Sequence, residues 1–359
     1  MTNESPAIPT DPFFTEIGEQ PEALVSSARS MRAQSVALTA LRDAAGDDAP
    51  IVLTGMGSSY DALSALTSVF SRSGRSVSLI NSAELLHFGR PALRPGTVVI
   101  IMSQSGESAE VVLLADALAA AGECTVVAVC NGADNALARA SDILVDITAG
   151  RETGPSTKTF TASLVALAVI ERTLREPRRE LAEIVDEVER LAARTAGLVD
   201  DCLRGQEAMA AYLADWGTLE STVAFVGRGV GLAAAELGAL IMKEAAQVAA
   251  ISMDAAEFRH GPLELAGPGL SVVVVAIEEA VRDLDERLVA DLASAGSPVI
   301  VVGPVGLGAR YHLPTESVDP LFDVIQAGVP LQLMTWAVAA ERHEVPGVFR
   351  VGAKVTASE

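Results

Sequence analysis

Six consecutive residues, Ser103-Gln104-Ser105-Gly106-Glu107-Ser108, bring together three hydroxyls, an amide and a run of backbone N–H groups. They follow an apolar run and open a helix-period pattern, where a helix dipole favours an anion. A phosphate suits such a loop. Plain helix capping suits it too, and needs only one of the three serines. Ser58 and Ser59, in Gly55-Met56-Gly57-Ser58-Ser59, occupy another strand-to-helix turn and could add to the same site. A further polar loop, Thr153-Gly154-Pro155-Ser156-Thr157-Lys158-Thr159, reads either as a lip over a ligand or as a Gly-Pro turn with a capped helix.

Three residues could move protons or form covalent bonds. Glu244 lies beside Lys243 in an otherwise apolar helical stretch, either as a solvated helix position or as a general base. His260 lies in the turn Glu257-Phe258-Arg259-His260-Gly261-Pro262-Leu263, as a proton-transfer group or as a polar loop residue. Lys354 sits near the end of the sequence between Val351 and Val355, apolar enough for the tail to dock. The four histidines (His87, His260, His312, His343) have no metal-ligand spacing. Cys124, Cys130 and Cys202 are too scattered for a disulfide framework. Gly55-x-Gly57 and Gly227-x-Gly229 lack the third glycine of a dinucleotide fingerprint, with Tyr60 and Leu232 in its place. No metal and no cofactor are expected.

These residues need a scaffold, and the sequence describes one. Residues 21–41 carry a helical pattern. Short β-branched runs then alternate with alanine-rich segments. Strands are expected at 51–54, 77–80, 97–102, 124–130 and 143–147, with helices at 58–70, 108–121 and 157–174. Residues 176–201 keep a helical period through Leu181, Ile184, Val188 and Leu191 and read as a solvated amphipathic linker. The rhythm restarts with strands at 222–226, 250–253, 272–277 and 299–302 and a possible fifth near Tyr311. Helices are expected at 230–248 and 323–342. Strands apolar on both faces and alternating with helices imply parallel sheets covered on both sides. The expected organisation is an N-terminal helical segment (1–48), a first α/β domain (49–175), linker helices (176–215), a second α/β domain (216–343) and a tail (344–359).

Composition narrows the function. The 359 residues are 50% hydrophobic but only 4% aromatic, so the core must be aliphatic. With 26 basic and 47 acidic residues the net charge is -21, a field that repels nucleic acid and anionic membranes, so neither is an expected partner. The longest apolar runs, 164–170 and 272–277, fall short of the roughly 20 residues of a membrane span. No signal-peptide pattern follows Met1. A cytoplasmic location is the expectation.

Taken together, the motifs resemble the double sugar-isomerase (SIS) domain proteins. The resemblance is closest to the isomerase half of glutamine–fructose-6-phosphate aminotransferase and its stand-alone, glucosamine-6-phosphate deaminase-type relatives. Glu16-Ile17-Gly18-Glu19-Gln20-Pro21 is similar to the family's opening segment, and Gly57-Ser58-Ser59-Tyr60 to its first sugar-phosphate loop. Ser103 to Ser108 is a near-complete match to its phosphate loop, and Ser156-Thr157-Lys158-Thr159-Phe160-Thr161 resembles the loop lining the sugar. Lys243-Glu244, then His260-Gly261-Pro262-Leu263, then Ala353-Lys354 match the catalytic half and the tail.

The resemblance implies two flavodoxin-like SIS subdomains, each a five-stranded parallel sheet with helices on both faces. It implies a hexose 6-phosphate or aminohexose 6-phosphate held by Ser103, Gln104, Ser105 and Ser108, with Gly57, Ser58, Ser59, Pro155, Ser156 and Ala353 around it. His260 would open the sugar ring from the partner subunit of a homodimer. Glu244 would carry a proton between carbon 1 and carbon 2, and Lys354 could form a Schiff base with the open-chain ketose. Three departures stand out. About 45 residues precede the first strand, too few for a glutamine-hydrolysing domain, so glutamine-dependent synthesis by these residues alone is not expected. Ile241 stands where the family's isomerase domain has a second lysine. The loop before Thr157 is one residue short. The leading expectation is a phosphosugar isomerase or deaminase, with deglycation as a close variant. A sugar-phosphate sensor without turnover is the alternative, which Ile241 favours and the retention of Glu244, His260 and Lys354 opposes.

Overall fold

The computed structural model describes residues 11–206, 222–342 and 345–356. The chain opens with three helices, α1 (Pro12–Gly18), α2 (Gln20–Ser30) and α3 (Ser35–Ala45). The single helical pattern expected over 21–41 is broken by a 3-10 turn at Met31–Gln34. The first α/β unit then runs β1 (Ile51–Gly55), α4 (Ser58–Arg72), β2 (Ser78–Asn81), α5 (Ser82–Glu84), β3 (Val98–Ser103), α6 (Ala109–Ala121), β4 (Thr125–Cys130), α7 (Ala136–Ala140) and β5 (Ile143–Asp146). Helices α8 (Lys158–Arg175) and α9 (Leu181–Arg204) lead to the second unit. That unit runs β6 (Thr222–Gly227), α10 (Gly231–Ala245), β7 (Ala250–Asp254), α11 (Ala255–Phe258), β8 (Leu270–Val275), α12 (Arg282–Ser294), β9 (Val299–Gly303), β10 (Tyr311–Pro314) and α13 (Pro320–Glu341).

Both sheets have five strands, all parallel. Their orders, β2-β1-β3-β4-β5 and β7-β6-β8-β9-β10, correspond position by position. The central strands β3 and β8 are buried at every residue, which is why they read as unbroken apolar runs. The possible strand near Tyr311 is real and forms an edge of the second sheet.

The two units share one core. Helices α4 and α8 pack with α10 and α13 from the other unit, and one buried apolar cluster spans all four. Helix α8 is buried from Lys158 to Leu174, and α13 is buried along nearly its whole length. Helix α13 is long and apolar enough to cross a membrane by length and composition, and 94% of its most apolar window is buried inside the protein. Counting only unbroken apolar runs misses it, because Asp323, Gln326 and Gln332 interrupt the pattern while staying buried. Helix α9 is amphipathic as expected; Ile184, Val188 and Val199 face inward, toward α2 and α13.

One boundary matters for chemistry. The long helix expected to reach residue 248 stops at Ala245, and Gln247 adopts a left-handed φ of 53°. A left-handed residue just past a helix is a usual stop. Glu244 therefore sits in the last turn of α10 rather than in mid-helix. The second-domain boundary expected at 216 and the end of the expected linker at 215 lie outside the described residues.

Candidate active site

Strands β1 and β3 are neighbours in the first sheet, but the helices that follow them cover opposite faces. Ala62, Leu63 and Phe70 of α4 join the central core, whereas Val111 and Leu114 of α6 join a separate cluster. The carboxyl ends of β1 and β3 thus flank a switch point, the place where open α/β sheets bind ligands. A cleft of about 190 Å³ opens there. A larger cavity of about 710 Å³ lies between α9 and β10, around Cys202 and His312. Among the described residues neither a lysine nor a serine loop lines it, so chemistry rather than size assigns the site to the smaller cleft.

The cleft gathers most of the residues expected from sequence. Gly57, Ser58 and Ser59 come from the β1–α4 turn, Ser103, Gln104 and Ser108 from the β3–α6 turn, and Ser156 from the loop before α8. Glu244 reaches it from the end of α10, and Ala353 and Lys354 from the tail. Ser108 stands at the N-cap of α6, yet its hydroxyl makes no capping bond. The N-terminus of α4 likewise has no side-chain cap. Two helix N-termini without side-chain caps therefore face one cleft. Within the loop, Ser103 Oγ accepts from Gly106 N at 3.1 Å and Ser105 Oγ accepts from Glu107 N at 3.1 Å.

Three expected residues lie elsewhere. Ser105 turns to Glu107 N and does not line the cleft; Pro155 is buried in the lip behind Ser156. His260 lies in the exposed turn after α11, away from this chain's cleft. Sequence reasoning also missed part of the lining: Met56, Met102, Val111, Leu240, Phe349 and Thr356.

The charged groups form a connected set. Lys354 Nζ donates to Glu152 Oε2 at 2.7 Å and to Gly154 O at 2.7 Å. Glu152, whose side chain is wholly buried, also accepts from the backbone and hydroxyls of Thr157 and Thr159. The lip is held from outside by Glu16, which accepts from Thr153 N at 2.6 Å and Gly154 N at 3.0 Å. Glu19 pairs with Lys158, and Gln20 accepts from Thr161 Oγ1 at 2.6 Å. The Glu16–Gln20 segment therefore scaffolds the loop. The tail is fixed again where Ala109 N, at the start of α6, donates to Thr356 O at 3.0 Å.

Burial lifts the Glu244 carboxyl above its ordinary value; the Lys354 and Lys243 ammonium groups pull it down, and the Glu152 carboxylate pushes it up. A carboxylate raised in this way is better suited to taking up and giving back a proton than a solvated one. Asp61, in the first turn of α4, lies well above its ordinary value through burial and the nearby Glu236 and Glu244 carboxylates, against the pull of Lys243. Ile241, one turn before Glu244, is fully buried and packs in the apolar core. Among the described residues no group of three or more His, Cys, Asp or Glu could hold a metal ion.

A doubled parallel α/β fold with a serine-lined, lysine-bearing cleft at the first switch point defines the structural class. The SIS domain profile matches residues 47–170 and 219–304, one stretch in each unit, and the chain belongs to that family. It is 29% identical to glutamine–fructose-6-phosphate aminotransferase of Pyrobaculum aerophilum, over 97% of this chain and 57% of that protein. It is 31% identical to the Mycolicibacterium smegmatis aminotransferase, over 73% of this chain and 43% of that protein. The chain thus spans about half the length of the curated relatives it matches. Among solved structures, the C-terminal domain of the Francisella tularensis aminotransferase superimposes with a TM-score of 0.81 at 23% identity, covering 96% of this chain and 99% of that one. Tagatose-6-phosphate ketose/aldose isomerase from Escherichia coli gives 0.78 at 21%, covering 98% and 99%. Glucosamine-6-phosphate deaminase from Thermotoga maritima gives 0.75 at 18%, covering 96% and 99%. At these identities the structural matches establish the fold.

Proposed function

We propose that this chain is a phosphosugar isomerase or deaminase acting on an aminohexose 6-phosphate. The observation that carries the reading is a single cleft lined by the serine loops, Glu244 and Lys354 together. The phosphate sits against the N-termini of α4 and α6, held by Ser58, Ser59, Ser103, Gln104 and Ser108, where backbone N–H groups and helix dipoles favour an anion. Gly57, Ser156 and Ala353 complete the sugar's surroundings, with Ser105 shaping the loop from behind through its bond to Glu107 N. Such local donors are needed because the net charge of -21 repels an anionic sugar at long range.

Chemistry follows from the other end of the cleft. Ring opening needs a proton moved from the hemiacetal hydroxyl to the ring oxygen, a task for His260 supplied by the partner of a homodimer. Glu244 then takes the proton from carbon 2 of the open aldose and returns it to carbon 1. In an aminohexose phosphate that shift leaves a ketimine. Water adds to it, ammonia departs and the ketose 6-phosphate remains. General-base catalysis of the shift contributes about 10²–10⁴-fold. Lys354 as a held cation favours loss of the carbon 2 proton; as a nucleophile it adds at the ketimine carbon, expels ammonia, and water then hydrolyses the lysine imine to the ketose and the free amine. We place the reaction in the cytoplasm; a phosphate-bearing substrate does not cross a membrane unaided and would stay where it is made.

The alternative is a sensor that binds the sugar phosphate without turnover, and the buried, apolar Ile241 favours it. Proton NMR in D₂O with a panel of hexose and aminohexose 6-phosphates separates the two. Exchange at carbon 1 or 2, or ketose 6-phosphate appearing with ammonia, supports the enzyme. Binding without exchange across the panel supports the sensor.

A further inference from the structure

We propose that Glu152 is a positioning residue, holding Lys354 against the lip and beside Glu244. The inference rests on the catalytic reading of Lys354 given above. Glu152 Oε1 accepts from Thr157 N at 2.9 Å, Thr157 Oγ1 at 2.9 Å and Thr159 N at 3.1 Å. Its Oε2 accepts from Thr159 Oγ1 at 2.6 Å and Lys354 Nζ at 2.7 Å. A wholly buried carboxylate is costly to keep ionised without a positive partner. Lys354 is that partner, the one cation bonded to it among the described residues.

The dependence is mutual. Residues 350–353 of the tail are exposed, Val351 at 95%. On the cleft side this tail is bonded through Lys354 Nζ and Thr356 O. An ammonium has three N–H donors; Glu152 and Gly154 O take two, which leaves a third for the cleft. Without the carboxylate, one backbone carbonyl must hold a flexible four-carbon side chain. Glu152 thus joins the rigid start of α8 to the reactive end of the tail. Around Glu244 stand Lys354, Lys243 and Glu152, with Asp61 close by, so the lysine's position also sets the charge that the base feels.

The chain has three lysines, Lys158, Lys243 and Lys354, which makes amine labelling legible residue by residue. The full chain is treated with acetic anhydride at one pH, and its peptides are followed by mass. Lys354 should label about tenfold more slowly than the exposed Lys243, the ratio expected of a hydrogen-bonded pair worth about 1.4 kcal/mol. Glu152→Gln should abolish that difference. Equal labelling in the unaltered chain, or unchanged protection in the variant, overturns the proposal. The second readout is the pH profile of sugar-proton exchange. With Lys354 released, Glu244 loses the larger of the opposing influences from this pair, and the acid limb of Glu152→Gln should move up. An unmoved limb would make Glu152 a structural residue, and a downward shift would make it a fixed charge; either overturns positioning. If the variant does not fold, labelling of the unaltered chain decides. If the unaltered chain exchanges no sugar proton, the functional reading fails while the labelling still tests Glu152.

Discussion

Gly106→Ala tests whether the geometry of the Ser103–Ser108 loop is what binds the phosphate. Gly106 has φ 65°, and a Cβ there would come within 2.0 Å of Asn135 Oδ1 and 2.3 Å of its Cγ. Asn135 cannot yield cheaply. It is 3% exposed, its Oδ1 accepts from Ala138 N at 2.9 Å as the cap of α7, and its Nδ2 donates to Gly132 O at 2.8 Å. The left-handed backbone costs about 1–2 kcal/mol for a residue with a Cβ. Expelling Asn135 adds about 1 kcal/mol for the lost cap and about 1 kcal/mol for the other hydrogen bond. The total is about 3–4 kcal/mol, divided between a destabilised fold and a displaced loop. Denaturant unfolding should show a loss of that order, and the KM for the sugar phosphate should rise at least about tenfold with kcat little changed, since phosphate binding is uniform between ground and transition state. Adding Asn135→Gly removes the obstacle and should recover about 1 kcal/mol or more in a double-mutant cycle. A Gly106→Ala variant within about 0.5 kcal/mol of the parent, a change no larger than a typical neutral surface substitution, and with unchanged KM, would refute the placement of this loop at the phosphate.

Other outcomes follow from the same cleft. Glu244→Gln should lower turnover about 10²–10⁴-fold while leaving sugar-phosphate affinity nearly intact by calorimetry; equal loss of both would remove Glu244 as the base. Because burial raises the Glu244 carboxyl, the acid limb of the rate profile should lie above the ordinary glutamate value of about 4.3. The raised group also favours the fold below its unfolded value, and that contribution fades as pH rises through the folded one. A limb at or below the ordinary value would contradict the burial argument. Truncation before Lys354 removes its bonds to Glu152 and Gly154 and the Thr356–Ala109 bond. It should stop proton exchange while sedimentation still reports a dimer, and full activity would take Lys354 out of the mechanism.

What sequence made legible was local. The Ser103–Ser108 loop shows itself because its hydroxyls are adjacent and follow a strand, and the alternation of strand and helix shows itself because both strand faces are buried. What stayed hidden is carried by tertiary contact. Glu16 lies 137 positions before Thr153, whose amide it holds, and Glu152 lies 202 positions before Lys354. Nothing in the local pattern of either glutamate separates it from a solvated one. The tripeptide of donors after Glu152, with Thr157 and Thr159 on alternate positions around Lys158, is the one local hint that an acceptor must stand near. The end of α10 falls short of the expected one because apolar periodicity runs on to Val248 while the backbone turns at Gln247. The charge state of Glu244, likewise, depends on a lysine 110 positions away by sequence number.

The doubled architecture raises the question of why the serine-lined cleft stands in one unit, while the matching strand end of the other lines a cavity of about 170 Å³ with Ala276, Ile277, Glu278 and Glu279. Strand register answers it. Gly55 pairs with Met102 in the first sheet and Gly227 with Val275 in the second. Ala276, Ile277 and Glu278 therefore stand where Ser103, Gln104 and Ser105 stand. Where the first unit has two polar side chains of its serine loop the second has apolar ones, and the third position carries a carboxylate. Glu278 Oε1 accepts from Val230 N at 2.9 Å, just before α10, and forms an ion pair with Arg72 from the end of α4. Gly229, at φ 54°, is what lets the pair close: a Cβ there would come within 2.4 Å of both Glu278 Oε1 and Arg72 Nη2. The second unit thus satisfies its helix N-terminus with an anion of its own and spends that anion on joining the two units. An incoming phosphate would have to displace a carboxylate already paired with a guanidinium, with Glu279 adjacent. In the first unit the same strand end presents hydroxyls and an amide, which can hold an anion but are not one.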